Sequence, residues 1–393
     1  MLLRSGHSCL LSQRPAATNP IHHAAASTPR NPPLFRGHKM SLRGRPVCSA
    51  ATTEQEETAL QASQKPAFDI NERVEFLKED LKHLFDGKGI TASAYDDVVE
   101  FRDPITQYDN LQGYLFNIQM LKQVFDPVIE MHDIRAIGPY AVLTRWTMTM
   151  FFIPARLLPI PFKPTLQFTG TSTYGFNPEN GRINKHIDTW DSINNQKFFS
   201  PEAAADVFRQ LTDVKTTPQS LEQPQYRVIR RAADYQIRRY DPFVVAQTFM
   251  DGVKASGSTT EPAEFVNPAG WWSGNSVDSG RLDTTTLPPP QPGVDVTLRK
   301  ESMGTVAARA FTGLAFPGEV EEQAKELFAA LKRDNVPFDE SSGWRLARYN
   351  DPGTLPPLRR NEVMVKLADN YDPLWAPGEL EAFTANFGKH ATA

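Results

Sequence analysis

Two residues near the middle of the chain have the types and spacing of an acid–base pair. His186 and Asp188 lie in a run of alternating residues, Arg182–Trp190, that predicts a strand. Alternate residues of a strand face the same side of a sheet, so the two side chains share one face, and Ile183 and Ile187 share the other. The pair could act as a general base and its orienting partner. The alternative is a hydrogen-bonded pair that seals a pocket, so we assign no catalytic residue beyond these two candidates.

A second group of residues could bind a flat, apolar ligand that carries carboxylates. Two alternating runs, Trp344–Tyr349 and Glu362–Leu367, flank a segment rich in Asn, Asp, Pro and Gly, which predicts a strand–loop–strand hairpin. Arginines can pair with carboxylates, and apolar side chains can contact a ring. The competing interpretation of Arg359 is a surface ion pair with Glu362. The loop residues concerned are Leu355, Pro356, Pro357, Leu358, Arg359 and Arg360.

Metal and thiol chemistry have little support in the sequence. Both cysteines, Cys9 and Cys48, lie in the N-terminal segment discussed next, so the rest of the chain has neither disulfides nor thiolate ligands. The histidines beyond that segment are isolated from one another, and no spacing typical of a metal site occurs. They are His83, His132, His186 and His390.

The N-terminal segment differs in charge from the remainder. Residues 1–53 contain seven Lys and Arg residues, and the first acid is Glu54. An acid-free segment rich in Ser, Ala and Arg is typical of an organellar transit peptide, and residues 1–50 are predicted to be a chloroplast transit peptide. The alternative is a disordered N-terminus. Residues 51–67 are predicted to be a linker. The remaining chain is acidic, which argues against a nucleic-acid partner.

Residues 68–213 predict an α+β domain. Apolar residues recur at helical spacing from Ile70 to Leu84 and over Leu111–Phe125, and strand-like segments follow from His132 to Trp190. Helices followed by long strands indicate a curved antiparallel sheet around its helices. The order and the ending N-G-R-I-x-x-H-x-D-x-W-D resemble the SnoaL-like, nuclear-transport-factor-2-like fold. That resemblance implies one pocket, where His186 and Asp188 would act with Tyr95, Tyr108 or Trp146.

The most apolar stretch of the chain is Phe151–Phe162. Its three prolines exclude a helix and a central strand, and it is too short to span a bilayer. We expect a loop that packs on the protein, and the alternative is a docking loop at a thylakoid or plastoglobule surface. No window of the sequence is long and apolar enough for a transmembrane helix.

A second domain is predicted over residues 223–368, after a linker at 214–222 and before a C-terminal tail at 369–393. Its first motif, read from Glu222 to Ala246, is E-x-P-x-Y-x-V-x-x-x-x-x-x-Y-x-I-R-x-Y-x-P-x-V-V-A, and its last is A-R-Y-N-D-P-x-x-x-P-x-L-R-R-N-E-V. Both resemble the signatures of the SOUL haem-binding family. The resemblance implies an antiparallel, barrel-like domain with flanking helices, here shortened around residues 254–293. An amphipathic helix is predicted over Pro317–Asp334.

The family resemblance also implies a ligand groove between the first helix of the domain and the hairpin loop. The run from Phe265 to Asn275 resembles a remnant of that helix. The stretch Glu222–Leu367 contains no His and no Cys, so an axial ligand from within it would be Met or Tyr. The two tryptophans have core packing as their alternative role. The implied cofactor-binding residues are Phe265, Trp271, Trp272, Leu355, Pro356, Leu358 and Arg359.

These observations lead to one functional hypothesis and two alternatives. The first is a plastid protein that binds haem or another tetrapyrrole for buffering, transfer or sensing, without catalysis. The alternatives are a small-molecule enzyme or binding pocket in the SnoaL-like domain, and an interaction protein at a thylakoid or plastoglobule surface.

Overall fold

The computed structural model describes residues 68–154, 164–194, 196–197, 199–215, 224–250, 263–268, 292–293, 297–350 and 353–390. All of them belong to one compact unit, Lys65–Ala393. The described residues form five α-helices and three β-sheets, so the fold is α+β, as predicted. We call the elements from Ile70 to Leu211 the N-terminal module and those from Tyr226 to Lys366 the C-terminal module. The predicted targeting segment, residues 1–50, and the first linker lie outside the described residues.

The N-terminal module contains three helices: α1 (Ile70–Asp80), α2 (Leu111–Val124) and α3 (Pro201–Leu211). The residue before each helix caps it, because its side-chain oxygen accepts a hydrogen bond from a backbone N–H of the first turn. Asp69 accepts from Asn71, Asn110 from Gly113, and Ser200 from Ala203.

A six-stranded sheet covers these helices in the order β2-β1-β6-β5-β4-β3. Strands β1 and β6 run parallel, and the other neighbours are antiparallel. Buried residues of α1, α2 and the inner sheet face form one apolar cluster, and a second surrounds Trp146 and Trp190. The strands are β1 (Tyr95–Arg102), β2 (Gln107–Tyr108), β3 (Phe125–Gly138), β4 (Ala141–Phe152), β5 (Thr165–Phe176) and β6 (Ile183–Trp190).

Two local predictions for this module were wrong. Strand β3 begins at Phe125 rather than His132, because Pro127 cannot continue the helix and favours extended backbone before it. Ile183 faces inward with His186 rather than outward with Ile187. An irregularity in the β5–β6 register, where Gly175 pairs with Lys185 but Phe176 pairs with Ile183, inverts the alternation at the start of β6.

The C-terminal module contains a five-stranded antiparallel sheet in the order β13-β14-β12-β8-β7 and a three-stranded sheet in the order β10-β9-β11. Among the described strands this barrel-like arrangement stays open. The first sheet comprises β7 (Tyr226–Arg231), β8 (Gln236–Tyr240), β12 (Thr305–Phe311), β13 (Trp344–Arg348) and β14 (Asn361–Lys366), and the second comprises β9 (Phe243–Met250), β10 (Ala263–Pro268) and β11 (Thr297–Glu301).

Helix α4 (Pro317–Arg333) lies where the periodicity predicts it and covers one face of the five-stranded sheet. Val320, Ala324, Leu327 and Leu331 are buried against that sheet, and Phe328 packs at the edge of the same cluster. The predicted helix remnant from Phe265 is wrong in its described part. Residues 263–268 form strand β10, which pairs with β9 and contains Phe265 opposite Thr248.

The two modules are joined through buried polar contacts. The Thr147 hydroxyl donates to the Val228 carbonyl at 2.6 Å, and the Arg231 backbone N–H donates to the Thr169 hydroxyl at 2.7 Å. Strand β7 is the edge of its sheet, so threonine side chains of the N-terminal module pair its outward backbone groups. The Arg231 guanidinium also forms two hydrogen bonds with the buried Asp206 carboxylate, at 2.7 and 2.9 Å.

The C-terminal segment crosses this junction. Helix α5 (Glu379–His390) begins with Glu379, which accepts a hydrogen bond from Arg230 at 2.8 Å and lies 3.6 Å from Arg145. Asp191 binds the same two arginines. Trp375, just before the helix, is buried against the N-terminal module and donates its indole N–H to Asp133 at 3.0 Å.

Candidate functional site

The predicted hairpin is present, with β13 and β14 paired from Trp344–Val365 to Arg348–Asn361. Its loop ends in a single turn of 3₁₀ helix, Pro356–Leu358, and Leu355 immediately before it is 66% exposed. The rings of Pro356 and Pro357 fix the φ angles of these two residues, which restricts the backbone of the turn. Leu355, Pro356 and Leu358 belong to this one turn, and their role in ligand binding stays a prediction.

A neighbouring segment extends this apolar surface, and sequence reasoning missed it. The Pro356 carbonyl accepts a hydrogen bond from the Gly313 N–H at 3.0 Å, which places the residues after β12 beside the loop. In that segment Phe316 is 64% exposed and Leu314 is 44% exposed. We call Leu314, Phe316 and Leu355 the loop patch. Solvent-exposed clusters of large apolar side chains mark binding surfaces more often than chance.

The backbone between the two new residues adopts an uncommon conformation. Ala315 has a φ of 51°, in the left-handed region that non-glycine residues seldom occupy, and its side chain is buried. The Arg348 guanidinium donates to the Ala315 carbonyl at 2.9 Å. This contact connects β13 to the patch, and the alternation of a buried Ala315 between two exposed side chains presents Leu314 and Phe316 to solvent.

The two arginines of the loop have different roles. Arg359 donates its Nε–H to the Thr354 carbonyl at 2.8 Å, within the loop. Arg360 forms the ion pair with Glu362, at 2.6 Å, and its guanidinium lies over the Tyr349 ring. The competing interpretation of Arg359 as the partner of Glu362 therefore applies to Arg360 instead. Arg359 remains the arginine closer to the loop tip.

A buried ionic cluster lies under the hairpin. Glu362 is fully buried and accepts two hydrogen bonds from Arg238, at 2.7 and 2.8 Å, and one from the Tyr349 hydroxyl, at 2.7 Å. Burial alone would raise the pKa of Glu362, but the charges of Arg238 and Arg360 outweigh it and hold the pKa far below its usual range. Both carboxylate oxygens of Glu362 thus accept hydrogen bonds. The cluster therefore stabilises the hairpin that carries the loop.

The sulfur and phenol groups considered as axial ligands are partly engaged in the core. Met364 is buried and its sulfur accepts a weak hydrogen bond from the Tyr240 hydroxyl at 3.8 Å. Met303 packs against the same apolar cluster. The loop patch itself has apolar side chains with arginines beside it, which fits a porphyrin ring and its propionates but provides no strong iron ligand.

The other predicted groove residues are not brought to this patch by the described structure. Phe265 lies in strand β10, next to β9. Trp271 and Trp272 lie outside the described residues, as does most of the apolar stretch Phe151–Phe162. Their assignment to the ligand groove stays a prediction.

The acid–base candidates of the N-terminal module lie in its interior. His186 stacks on the Tyr174 ring at 4.2 Å between centroids and also contacts the rings of Phe101 and Tyr114. Its Nδ1 is 3.0 Å from the Tyr114 hydroxyl, and its Nε2 is 2.9 Å from Asp188 Oδ1. A histidine enclosed by three rings fits the pocket-sealing alternative better than a solvent-accessible base.

Asp188 continues this polar chain on its other side. Its Oδ1 accepts a hydrogen bond from the Ser172 hydroxyl at 2.5 Å, and Ser172 in turn accepts one from the Trp146 indole at 2.8 Å. Tyr108, also named with this pocket, stacks against Phe101 at the sheet edge. The described residues contain no group of three or more metal-ligating side chains and no helix long and apolar enough to cross a membrane.

Two family profiles match separate parts of the chain. The profile of an uncharacterized conserved protein family, DUF2358, matches residues 71–186, and the profile of the SOUL heme-binding protein family matches residues 279–366. Residues 279–366 are thus similar to the SOUL heme-binding protein family, in agreement with the resemblance of the sequence motifs. No curated protein sequence matches the chain.

Several solved structures are similar to part of the chain at low sequence identity. A Mycobacterium tuberculosis LEH-like epoxide hydrolase is 16% identical, with 38% of this chain and 90% of that chain covered and a TM-score of 0.27. A putative SnoaL-like polyketide cyclase from Shewanella denitrificans OS-217 is 15% identical, with 31% and 90% covered and a TM-score of 0.25.

Proposed function

We propose that the protein binds haem or a related tetrapyrrole at the loop patch, without catalysis. The observation that carries the proposal is the placement of the exposed Leu314, Phe316 and Leu355 beside the arginine-bearing loop of a SOUL domain. A porphyrin presents a large apolar ring with carboxylates at one edge, and this combination of side chains is complementary to both.

The haem would be held by its ring and propionates. The apolar patch would contact one ring face, and Arg359 would pair with a propionate. When bound, the cofactor would supply redox or ligand-sensing chemistry at its iron. The stretch Glu222–Leu367 has no His or Cys, so we propose reversible binding, in keeping with a role in buffering, transfer or sensing.

Titration of the full chain with haemin tests this proposal. A saturable change of the Soret band, with a position different from that of free haemin, is the expected result. The control is an unrelated acidic protein of similar size at the same concentration. A haemin spectrum identical in the two proteins contradicts the proposal.

We further propose that the protein acts in the plastid, in the stroma or at a thylakoid or plastoglobule surface. The acid-free, arginine-containing composition of residues 1–50 supports this location. A fluorescent protein fused behind residues 1–50 should accumulate in chloroplasts, and a fusion in which the basic residues of that segment are replaced by glutamine should not. Cytosolic fluorescence of the first fusion contradicts the proposed location.

A further inference from the structure

Two arginines lie directly opposite each other in the sheet of the C-terminal module, where it meets the N-terminal module. Arg227 on β7 and Arg239 on β8 are register partners, and Thr305 on β12 is the register partner of Arg239 on its other side. Directly opposed residues of neighbouring strands project to the same face of a sheet, with Cβ atoms about 5 Å apart. Two guanidinium groups and a hydroxyl therefore form one row across three strands, which we call the arginine row.

The protein does not balance the charge of the arginine row. Like charges directly opposite each other destabilise a sheet. The Arg227 guanidinium lies 3.7 Å from the Glu130 carboxylate, which comes from β3 of the N-terminal module. Arg239 is half-buried, and among the residues that the structure describes no carboxylate pairs with it. Two arginines and one carboxylate leave a net positive charge, which a bound anion would offset.

The imidazole of His132, also on β3, lies beside the row. Its Nδ1 is 3.9 Å from Glu130 Oε1, the same oxygen that faces Arg227. Burial lowers the pKa of His132, and the positive charges of Arg145, Arg227 and Arg239 lower it further. Both arginines of the row therefore act on one place at the junction, where the electrostatic potential is positive.

We propose that the arginine row binds a phosphate group, either as inorganic phosphate or as part of a phosphorylated small molecule. Arginine presents a planar fork of N–H donors that matches phosphate oxygens, so forks from two neighbouring strands can hold one phosphate between them. The Thr305 hydroxyl would donate a further hydrogen bond. A phosphate has more acceptor oxygens than a carboxylate, and it can pair with both guanidinium groups at once. The site is separate from the loop patch and does not depend on tetrapyrrole binding.

Calorimetric titration of the full chain with sodium phosphate at pH 7 and constant ionic strength tests this site. Saturable binding with one site per chain is expected. Arg239→Gln should weaken phosphate binding at least tenfold, whereas Arg182→Gln, which removes an exposed arginine just before β6, should leave it unchanged. No saturable binding by the wild-type chain, or an equal loss in the two variants, contradicts the proposal.

The same titration with glycerol 3-phosphate distinguishes the two sources of the phosphate group. Tighter binding of glycerol 3-phosphate than of inorganic phosphate supports a phosphorylated small molecule as the ligand, and weaker binding supports inorganic phosphate. In both cases Arg239→Gln should cause the same loss, because the phosphate group makes the contacts.

The imidazole of His132 gives a second measurement at the site itself. Nuclear magnetic resonance spectra recorded over a range of pH give the pKa of each histidine, and the spectrum of His132→Gln identifies the signal. Saturating phosphate should raise the pKa of His132, because its negative charge offsets that of the arginines, and should leave the pKa of His83 unchanged. An unchanged pKa of His132 shows that phosphate binds elsewhere, which contradicts the proposal.

A second variant addresses a possible loss of folding in Arg239→Gln. Arg227→Gln removes the more exposed arginine and relieves the like-charge repulsion, so its melting temperature without phosphate should stay the same or rise. A ligand that binds the folded state raises the melting temperature, and phosphate should do so in the wild-type chain but not in this variant. An equal rise in both proteins contradicts the proposal.

Discussion

The Arg238 guanidinium and the Glu362 carboxylate form a two-point ion pair that is almost completely removed from solvent. Arg238 lies in the first of the two motifs that resemble the SOUL family and Glu362 lies in the second, 124 residues apart along the chain. Strand β12 lies between β8 and β14 in the sheet, so the pair spans a strand and joins the two motifs. Both motifs thus contribute residues to the buried charged cluster under the hairpin.

Replacing Glu362 by glutamine should strongly destabilise the protein. The variant leaves Arg238 and Arg360 buried without a counter-charge, and breaking a buried pair in this way costs about 3–5 kcal/mol. Urea denaturation followed by circular dichroism measures the loss. The matched control is Glu340→Gln, because Glu340 is largely exposed and lies 3.8 Å from Lys332, and it should change stability by less than about 0.5 kcal/mol. Equal effects of the two substitutions would refute a structural role of the cluster.

Asp103 should make the protein more stable in mild acid. Burial raises its pKa to about 6, hydrogen bonds from Thr106 and Ile105 oppose the rise, and the charge of Asp188 adds to it. Because the folded-state pKa is above the unfolded value of 3.8, the stabilisation is complete below pH 3.8 and is lost as the pH rises through 6. The contribution is about 2 kcal/mol, since the carboxyl keeps some exposure.

Comparison with Asp103→Asn isolates this contribution. The difference in unfolding free energy between the wild-type chain and the variant should shift in favour of the wild type by about 2 kcal/mol between pH 7 and pH 4. Urea titrations at several pH values give the difference directly. A difference that is independent of pH would show that Asp103 titrates normally.

His132 should make the protein less stable in mild acid. It lies at the module junction, where its Nε2 is 2.8 Å from the Thr147 hydroxyl, and because that hydroxyl donates to Val228, the imidazole must donate to it. Burial lowers the pKa of His132 to about 4, and the charges of Arg145 and Arg227 add to the effect. Its stabilisation is present above pH 6.5 and is lost as the pH falls from 6.5 towards 4.

In His132→Gln, the loss of stability on acidification should be smaller than in the wild-type chain by about 2 kcal/mol. Glutamine retains an N–H donor for Thr147, which limits other changes. The control is His83→Gln, at a more exposed site in the N-terminal module where His83 pairs with Asp86. If His132→Gln and the wild type lose the same stability from pH 7 to pH 5, the imidazole is not held neutral at the junction.

The two modules should unfold in one transition. Asp206 of the N-terminal module is buried and pairs with Arg231 of the C-terminal module, so separating the modules breaks a buried ion pair. Asp206→Asn should cost about 3 kcal/mol and split the transition when tryptophan fluorescence and far-ultraviolet circular dichroism are compared. Asp213→Asn, which removes an exposed partner of Lys215, should change neither property. Two separate transitions in the wild-type chain would contradict a shared folding unit.

The helices and the hairpin could be predicted because their signals are local. Helix α4 has a continuous apolar stripe, and the hairpin has two alternating runs around proline-rich turn residues. The α+β class followed from the order of these patterns. The side of the sheet on which Ile183 lies could not be predicted from the alternation of residues in β6. It depends on an irregularity in the pairing of β6 with the neighbouring strand β5.

The candidate site was predictable only in part for the same reason. Leu355, Leu358 and Arg359 could be chosen from their loop, but Leu314 and Phe316 reach the site through a hydrogen bond between Gly313 and Pro356. Nothing in the local sequence indicates that contact. Phe265 shows the converse case, since pairing with β9 overrides the resemblance to a helix.

Haemin titration of paired surface variants tests the central claim most directly. Phe316→Glu and Leu355→Glu place a charge in the loop patch, whereas Phe208→Glu does so at an exposed phenylalanine of α3 with 69% exposure. The account predicts that both patch variants weaken haemin binding at least tenfold at unchanged melting temperature, while Phe208→Glu binds haemin like the wild-type chain. Equal affinity in all three variants and the wild type would contradict binding at the loop patch.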